Sequence, residues 1–272
     1  MDSLFSVKDK NIVITGGAGV LGSSLALDLA KAGARICISD MNLQGANNLC
    51  KEIKDNGGFA FAVETNVLDK KSVESTGTSA IEKLGKVDIL INAAGGNKKE
   101  ATTGDDLSFF DMPADAVQWV FNLNLMGTIL PCQVFGKYMA QQKSGIILNV
   151  SSMSAFCALT KVGAYSAAKA GVSNFTQWLS VHMCQNYSTD IRVNAIAPGF
   201  FLTKQNEFLL TDKETGKLTA RGKTIVDHTP MQRFGQPEEL TGTVIWLLSD
   251  ASKFVTGTVI PIDGGFNAFS GV

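Results

Sequence analysis

Tyr165 and Lys169 stand four residues apart in the segment AYSAAKAG, and Ser152 precedes the tyrosine by thirteen residues. Four residues are about one helical turn, so both side chains leave the same face of a helix. A phenol titrates near pH ~10, and a nearby ammonium favours the phenolate and lowers that pKa by ~1–3 units. The pair therefore predicts a proton-transfer group on a rigid helix. Two ordinary helix-surface residues are the alternative, because this spacing also arises by chance.

A glycine-rich turn lies near the start of the chain, between an apolar strand and a helix. The strand pattern NIVIT covers 11–15, the glycines run from Gly16 to Gly22, and leucines at helical spacing follow until Gly33. This order of strand, turn and helix brings backbone N–H groups close to a pyrophosphate at a helix N-terminus. Glycines also serve turns that bind nothing, so the cluster alone is weak evidence.

An acidic residue ends the second strand pattern, ARICISD, which closes at Asp40. A carboxylate about twenty residues after the glycines can accept hydrogen bonds from an adenosine ribose diol, and it repels a 2′-phosphate. Asp40 therefore predicts NAD rather than NADP as the cofactor. The alternative is a turn residue or the cap of the next helix.

Strand and helix patterns alternate along the whole chain without a linker, which predicts one domain over residues 1–272. Strands are expected near 11–15, 35–40, 59–64, 87–92, 145–150, 190–196 and 257–262. Helices are expected near 20–32, 42–56, 69–84, 113–142, 163–186 and 237–249. Several strands are continuous apolar runs, as in a sheet covered on both faces. With right-handed crossovers, this predicts an α/β fold: a Rossmann-type, doubly wound, parallel seven-stranded sheet with helices on both faces.

Composition excludes several classes of partner. The net charge of −1 gives no reason to expect nucleic acid or an anionic membrane. The start, MDSLFSVKDKN, lacks the pattern of a signal peptide, and no run approaches the ~20 apolar residues of a membrane span. Five scattered cysteines without a C-x-x-C pair indicate buried thiols in a reducing compartment, so a cytoplasmic location is expected. With two histidines, no metal site is expected.

The ordered motifs resemble the short-chain dehydrogenase/reductase family from about residue 8 to residue 266. The motifs that carry the resemblance are TGGAGVLG at 15–22, NAAG at 92–95, NLMG with Asn124, NVSS with Ser152, YSAAK with Tyr165 and Lys169, PGFFLT at 198–203, RFGQPEE at 233–239 and PIDGG at 261–265. Two positions depart from the family pattern. Val20 stands where glycine is common, next to Gly19, and Asn66 stands where the family has the aspartate that contacts adenine.

The resemblance implies roles for particular residues. The implied catalytic set is Asn124, Ser152, Tyr165 and Lys169, with the asparagine holding a relay water behind the lysine. The implied cofactor-binding set is Gly16, Gly19, Val20, Leu21, Gly22, Asp40, Asn66, Val67, Asn92, Ala93, Gly95, Tyr165, Lys169, Pro198, Gly199, Phe201 and Thr203. For Asn92 and Gly95 the alternative is a purely turn-forming role. Arg233 is interpreted as structural, at the entry to the last helix.

Substrate choice is expected to lie in three variable loops, at 95–113, 152–165 and 200–230. The last is long and polar, which is typical of a lid that closes over a substrate. Lys161 can pair with a substrate carboxylate, or it is a solvated loop lysine. Ser152 and Tyr165 are also expected to contact substrate. Further candidates for substrate hydroxyls are Asn97, Gln205 and Asn206.

Within the family, these loops resemble the short-chain type of D-mannonate oxidoreductase, also called fructuronate reductase. That resemblance implies a small sugar acid as the substrate, interconversion of D-fructuronate and D-mannonate, and a place in bacterial hexuronate metabolism. Another sugar-acid or polyol dehydrogenase, such as one like gluconate 5-dehydrogenase, is the second interpretation, and a ketoacyl reductase is the third. A non-enzymatic cofactor-binding protein is disfavoured because the complete Asn, Ser, Tyr and Lys set is present.

The helices expected at 113–142 and 163–186 carry an apolar excess that includes Phe175, Trp178 and Leu179. In the resembling family such faces pair into dimers and tetramers, so a homotetramer, or else a homodimer, is expected. The alternative is that these side chains pack against the chain's own sheet.

Overall fold

The structure is a computed structural model that describes residues 3–202, 210–212 and 215–271. A parallel seven-stranded sheet with the strand order β3-β2-β1-β4-β5-β6-β7 forms its centre. The strands are β1 Asn11–Thr15, β2 Arg35–Asp40, β3 Phe59–Glu64, β4 Ile89–Asn92, β5 Gly145–Val150, β6 Ile191–Pro198 and β7 Val259–Ile262. The predicted fold is confirmed. Only the bounds of the fourth, sixth and seventh strands shift, by up to two residues.

Helices cover both faces of the sheet. They are α1 Val20–Lys31, α2 Leu43–Asp55, α3 Lys70–Leu84, α4 Ala114–Phe121, α5 Gly127–Gln142, α6 Gly163–Asn186, α7 Ala220–His228 and α8 Thr241–Leu248. Alternate residues of β1 point to opposite faces: Ile12 and Ile14 pack in the layer that contains α1, α2 and α8, whereas Val13 packs with α3, α5 and α6. Every residue of β1 and β4 is buried, as the continuous apolar runs predict.

The helix expected near 113–142 is helical over residues 114–142, but it is not α-helical throughout. A π-helical turn, Asn122–Met126, separates α4 from α5. The side-chain amide of Asn124 donates to the carbonyl of Val120 at 2.8 Å and to that of Gly96 at 2.7 Å. The wide turn therefore carries an inward-facing polar side chain, and π-helical turns of this kind often occur at functional sites. The helix expected at 237–249 likewise begins as a 3₁₀ turn, Pro237–Leu240, before α8.

The segment at 200–230 is partly helical rather than a plain loop. Thr219 caps α7, since its hydroxyl accepts the N–H of Gly222 at 3.0 Å. Thr203, Gln205 and Asn206 lie outside the described residues. In the part of the chain that the structure describes, no helix is long and apolar enough to cross a membrane.

Candidate active site

The glycine turn lies at the carboxyl end of β1, where the sheet order reverses between β1 and β4. Gly16 has a φ of +63°, and a Cβ there would stand 2.6 Å from the Cα of Ala94. A Cβ on Gly22 would overlap the carbonyl oxygen of Gly16. Gly19 precedes α1 in an extended conformation, so Val20 takes the first helical position and Leu21 the second. The turn is therefore closed to larger residues at Gly16 and Gly22, as a backbone cradle for phosphate requires.

Asp40 lies beside this turn at the end of β2. Its carboxylate accepts the N–H of Ala18 at 3.0 Å and that of Asn42 at 2.8 Å. Asn66, after β3, is exposed, and its side-chain oxygen accepts the N–H of Leu68 at 3.0 Å. Its amide nitrogen stays available to a ligand. Val67 is buried, so a contact from it to a ligand is limited to its backbone or to one edge.

Asn92 belongs to a buried polar ladder that crosses the carboxyl ends of β1, β4 and β5. Its side-chain N–H donates to the side-chain oxygen of Asn149 at 2.9 Å, and its side-chain oxygen accepts the hydroxyl of Thr15 at 3.4 Å. Asn149 in turn donates to Thr176 on α6 at 2.9 Å. The Asn92 side chain is thus committed to the core, and only its backbone and that of Ala93 can face a ligand.

Gly95, Asn124 and Lys169 come together in front of β4 and β5. A Cβ on Gly95 would stand 2.8 Å from the side-chain oxygen of Asn124 and 3.2 Å from the ammonium nitrogen of Lys169. Asn124 and Lys169 are both buried, and the ammonium donates to the carbonyl of Val150 at 2.8 Å. The absence of a side chain at Gly95 keeps this polar group open.

Tyr165 and Lys169 share one face of α6, as their spacing predicts. The ammonium lies 5.7 Å from the centre of the phenol ring, and Ser152 is close enough to the phenol to lower its pKa by hydrogen bonding. Ser151 faces the other way, because its hydroxyl donates to the carbonyl of Lys169 at 3.0 Å and contacts Ser173 at 2.7 Å. Ser152, not Ser151, therefore faces the tyrosine. This agrees with the assignment that the family pattern implies.

The electrostatics of the pair differ from the expected lowering of the phenol pKa. Burial raises the pKa of Tyr165 above its ordinary value, and the hydrogen bond with Ser152 opposes that shift. Burial lowers the pKa of Lys169 to about 8. Burial thus changes the pKa of the phenol more than the neighbouring ammonium changes it. Burial therefore moves the two pKa values apart, because that of the lysine falls to about 8 while that of the phenol rises above its ordinary value.

The segment after β6 packs tightly against the last strand. Gly199 donates its N–H to the carbonyl of Ile262 at 2.9 Å, and a Cβ on it would stand 2.6 Å from that of Asp263. Pro198 ends β6, and Phe201 is buried. These residues form a narrow backbone ledge at the same edge of the sheet as the glycine turn. Thr203, expected to join them, lies outside the described residues.

A cavity of about 700 Å³ lies next to the loop that links Ser152 to Tyr165. Lys161 lines it, is exposed, and has a φ of +74°. Asn97 is not among the residues that line the cavity. Its side-chain amide donates to the hydroxyl of Thr102 at 2.9 Å. Arg221 and His228 also line the cavity, and no sequence pattern indicates them beyond their place in a long polar segment. Gln205 is outside the described residues.

Arg233 and the five cysteines have structural rather than catalytic surroundings. Arg233 forms a double ion pair with Glu239 at 2.6 and 2.7 Å, which fits a structural role at the entry to α8. All five cysteines are free thiols, and burial raises the pKa of Cys132 to about 12. Among the described residues, no cluster of histidine, cysteine, aspartate or glutamate could hold a metal ion.

A dinucleotide fits the edge of the sheet that these residues form. The glycine turn carries no side chain that could block a diphosphate at Gly16, Gly19 or Gly22, Asp40 ends β2 beside it, and Gly95 keeps the approach to Lys169 open. The side chains of Ser152 and Tyr165 can donate hydrogen bonds to one oxygen of a substrate. The arrangement can therefore move a proton to or from that oxygen beside a bound dinucleotide.

Comparison with known proteins agrees with this geometry. Residues 17–267 match a protein family described as enoyl-(acyl carrier protein) reductase. The uncharacterized oxidoreductase UxuB of Bacillus subtilis (strain 168) is 47% identical, over 97% of this chain and 96% of the relative. The 5-keto-D-gluconate 5-reductase of Escherichia coli (strain K12) is 31% identical over 97% of this chain and 98% of the relative.

A solved structure with bound NAD is also similar. It is that of a Haemophilus influenza protein proposed to be a D-mannonate oxidoreductase, with a TM-score of 0.92 and 45% identity, covering 100% of this chain and 99% of the other. The fold and its edge define a dinucleotide-dependent oxidoreductase. The chain belongs to the short-chain dehydrogenase/reductase family.

Proposed function

We propose that this chain is an NAD-dependent oxidoreductase that interconverts D-fructuronate and D-mannonate, a keto group and a secondary alcohol of one sugar acid. The observation that carries the proposal is the convergence of Ser152, Tyr165 and Lys169 beside a cavity lined by a cation, Lys161. The similar Haemophilus influenza protein with bound NAD supports the same substrate. The proposed reaction belongs to bacterial hexuronate metabolism.

Ser152 and Tyr165 act on the reacting oxygen. Both hydroxyls donate to the substrate carbonyl, which polarises it and fixes its position. In reduction Tyr165 gives its proton to that oxygen, and in oxidation its phenolate takes the proton back. The raised pKa of the phenol keeps it protonated at neutral pH, which suits the reducing direction.

Lys169 and Asn124 restore the proton to the phenol. The ammonium of Lys169 stabilises the phenolate that forms, and its lowered pKa makes it a ready proton donor. Asn124 uses both amide hydrogens on backbone carbonyls, but its oxygen accepts one N–H and has a second lone pair. That lone pair holds the relay water behind the lysine. The nicotinamide of NAD, when bound, supplies or accepts the hydride.

Asp40 selects NAD over NADP, because its carboxylate binds the ribose diol and repels a 2′-phosphate. The rest of the cofactor lies along the carboxyl edge of the sheet. Its diphosphate would be held by Gly16, Gly19, Val20, Leu21 and Gly22, its adenine by Asn66 and Val67, and its nicotinamide half by Asn92, Ala93, Gly95, Pro198, Gly199 and Phe201. The same role is proposed for Thr203, which lies outside the described residues. The chain acts as one domain, and the segment at 200–230 covers the substrate.

The direct test is NADH oxidation followed at 340 nm with purified protein and D-fructuronate. The proposal expects turnover of fructuronate with NADH, the reverse reaction with D-mannonate and NAD, and much weaker use of NADPH. Good turnover of a neutral ketose with none of fructuronate would overturn the substrate assignment.

Reduction of 5-keto-D-gluconate is the second candidate, because an Escherichia coli relative with that name aligns over almost the whole chain. Both substrates carry a carboxylate and a ketone, so they need the same catalytic group and differ in how the cavity receives the hydroxyls. Including 5-keto-D-gluconate and a ketoacyl thioester in the same assay panel separates these activities.

The protein works as a homotetramer, or else a homodimer, in the cytoplasm. A cavity of about 810 Å³ lies along α5 and α6 and is lined by Phe175, Trp178 and Leu179, with Trp178 more than half exposed. A second copy of the chain covers this apolar surface. Sedimentation at micromolar concentration measures the assembly. The five free cysteines suit a reducing compartment.

A further inference from the structure

The cavity beside the catalytic loop has three walls of different chemistry. One wall is the six-residue loop from Cys157 to Val162, which ends where α6 begins, three residues before Tyr165. The second is α7, and the third is the C-terminal segment around Phe266 and Phe269. A volume of about 700 Å³ is in the range of sites for small metabolites.

Two cations line this cavity without a counter-charge. Neither Lys161 on the loop nor Arg221 on α7 forms an ion pair with any residue in the described ranges. Asp227 is the acid that lines the cavity, and it is paired with Lys223 at 2.6 Å. Among the described residues, the cavity is therefore lined by two cations without an ion pair, one on the loop and one on α7, and both attract an anion bound inside it.

The remaining wall is aromatic and held in place by ring contacts. His228 lies 4.6 Å from the ring centre of Phe266 and 5.1 Å from that of Phe269, and Phe266 also contacts Phe200 at 5.2 Å. A surface of this kind suits the carbon-bound hydrogens of a small polyhydroxylated molecule, while the cations fix the orientation of its charged end.

We propose that Arg221 is a specificity-determining residue that binds the substrate carboxylate together with Lys161. This inference rests on the proposed function. A guanidinium offers a planar fork that matches both oxygens of a carboxylate, whereas a lysine acts as a point charge. Arg221 therefore orients the acid end of the substrate, and Lys161 adds charge. Arg221 lies on α7, so recognition of the substrate carboxylate depends on the position of this helix.

The test compares one pair of substrates in four proteins, and a double-mutant cycle adds Lys161→Gln and its combination with Arg221→Gln. D-Fructose is the neutral counterpart of D-fructuronate, with a hydroxymethyl group in place of the carboxylate. The wild type, Arg221→Gln, Arg221→Lys and a control, Lys217→Gln, are assayed with both. Lys217 is an exposed cation of the same segment that does not line the cavity.

Arg221→Gln is expected to raise the KM for fructuronate by about 10- to 100-fold, with little change in kcat, because it removes a charge-assisted hydrogen bond that is equally strong before and during the reaction. Arg221→Lys is expected to fall between this variant and the wild type. The kinetics with fructose, NADH binding and the Lys217→Gln control should be unchanged. The double variant Arg221→Gln/Lys161→Gln should raise the KM for fructuronate by less than the product of the two single effects, since both cations bind one carboxylate.

Three outcomes contradict the inference in distinguishable ways. If Arg221→Gln matches Lys217→Gln with fructuronate, Arg221 does not bind the carboxylate, and the proposed function stands. The same holds if the variant loses fructose and fructuronate turnover equally. If the wild type reduces no sugar acid at all, the proposed function fails and this inference fails with it.

Discussion

Asn124 and Gly96 are joined by two hydrogen bonds that run in opposite directions. The amide of Asn124 donates to the carbonyl of Gly96 at 2.7 Å, and its oxygen accepts the N–H of Gly96 at 3.1 Å. The π-helical turn between α4 and α5 is thereby fixed to the loop after β4. This pairing holds Gly95 close to the ammonium of Lys169. The arrangement of Gly95, Asn124 and Lys169 therefore depends on a contact between two segments that are distant in sequence.

Gly95→Ala should cut kcat by at least about ten-fold, whereas Gly96→Ala should have a much smaller effect. A Cβ at Gly95 would meet the oxygen of Asn124 at 2.8 Å and the nitrogen of Lys169 at 3.2 Å, so one of them must move. A Cβ at Gly96 meets only Leu123, at an ordinary 3.7 Å. A small displacement of catalytic groups can cost about 100-fold in rate. Steady-state kinetics measures both variants, and equal losses would show that the close contact at Gly95 does not matter.

Tyr165→Phe should lower kcat by about 100- to 10,000-fold, because it removes the group that transfers the proton. The ring and its packing stay, so the melting temperature and the affinity for NADH, measured by fluorescence titration, should change little. Tyr187→Phe is the matched control, since it removes an exposed phenol from the far end of α6. Retention of more than about a tenth of the wild-type rate would assign the proton transfer to another group.

The sequence predicts the sheet well because its strands are buried on both faces. Runs such as NIVIT and GIILNV are mostly apolar without an alternating polar face, and β1 and β5 occupy the expected ranges. The spacing of Tyr165 and Lys169 also sufficed to place them on one face of α6, since a single helix carries both. Local periodicity therefore decides these features.

Features that depend on distant contacts could not be predicted. The π-helical turn exists because Asn124 bonds to Gly96 and Val120, and Gly96 lies in a different segment of the chain. The cavity brings Arg221 opposite Lys161, which is sixty residues earlier, and no periodicity links the two. The raised pKa of Tyr165 reflects burial by the folded chain, whereas the sequence shows only that an ammonium lies one helical turn away.

Asp40→Asn should lower the preference for NADH over NADPH by at least about ten-fold, measured as the ratio of the two kcat/KM values. The substitution removes the charge that repels a 2′-phosphate, and a ten-fold change corresponds to about 1.4 kcal/mol. The N–H groups of Ala18 and Asn42 bind different oxygens of the carboxylate, so asparagine keeps an acceptor for one of them. Asp55→Asn, at the last residue of α2, removes the same charge elsewhere and should leave the ratio unchanged. An unchanged ratio in Asp40→Asn would assign cofactor choice to other residues.

Lys169 should make the stability of the wild type rise with pH in a defined window. The pKa of this lysine is lowered by burial from 10.5 to about 8 in the folded chain. Between these values the unfolded chain holds a proton that the folded chain has released, so the free energy of unfolding increases with pH. For one group the slope is about 1.4 kcal/mol per pH unit. Below about pH 8 both states are protonated and the contribution is constant.

Lys169→Met tests this linkage, because methionine keeps the length and apolar stem of the side chain but cannot titrate. Loss of the hydrogen bond to the carbonyl of Val150 changes stability by an amount that does not depend on pH. The difference between wild type and variant, from denaturant unfolding at pH 7, 8, 9 and 10, should therefore be flat up to about pH 8 and then move in favour of the wild type. Lys217→Met, at an exposed lysine, should keep the wild-type dependence. Parallel curves for wild type and Lys169→Met would mean that the buried amine titrates alike in both states, and that its ammonium is no readier a proton donor than a solvated lysine.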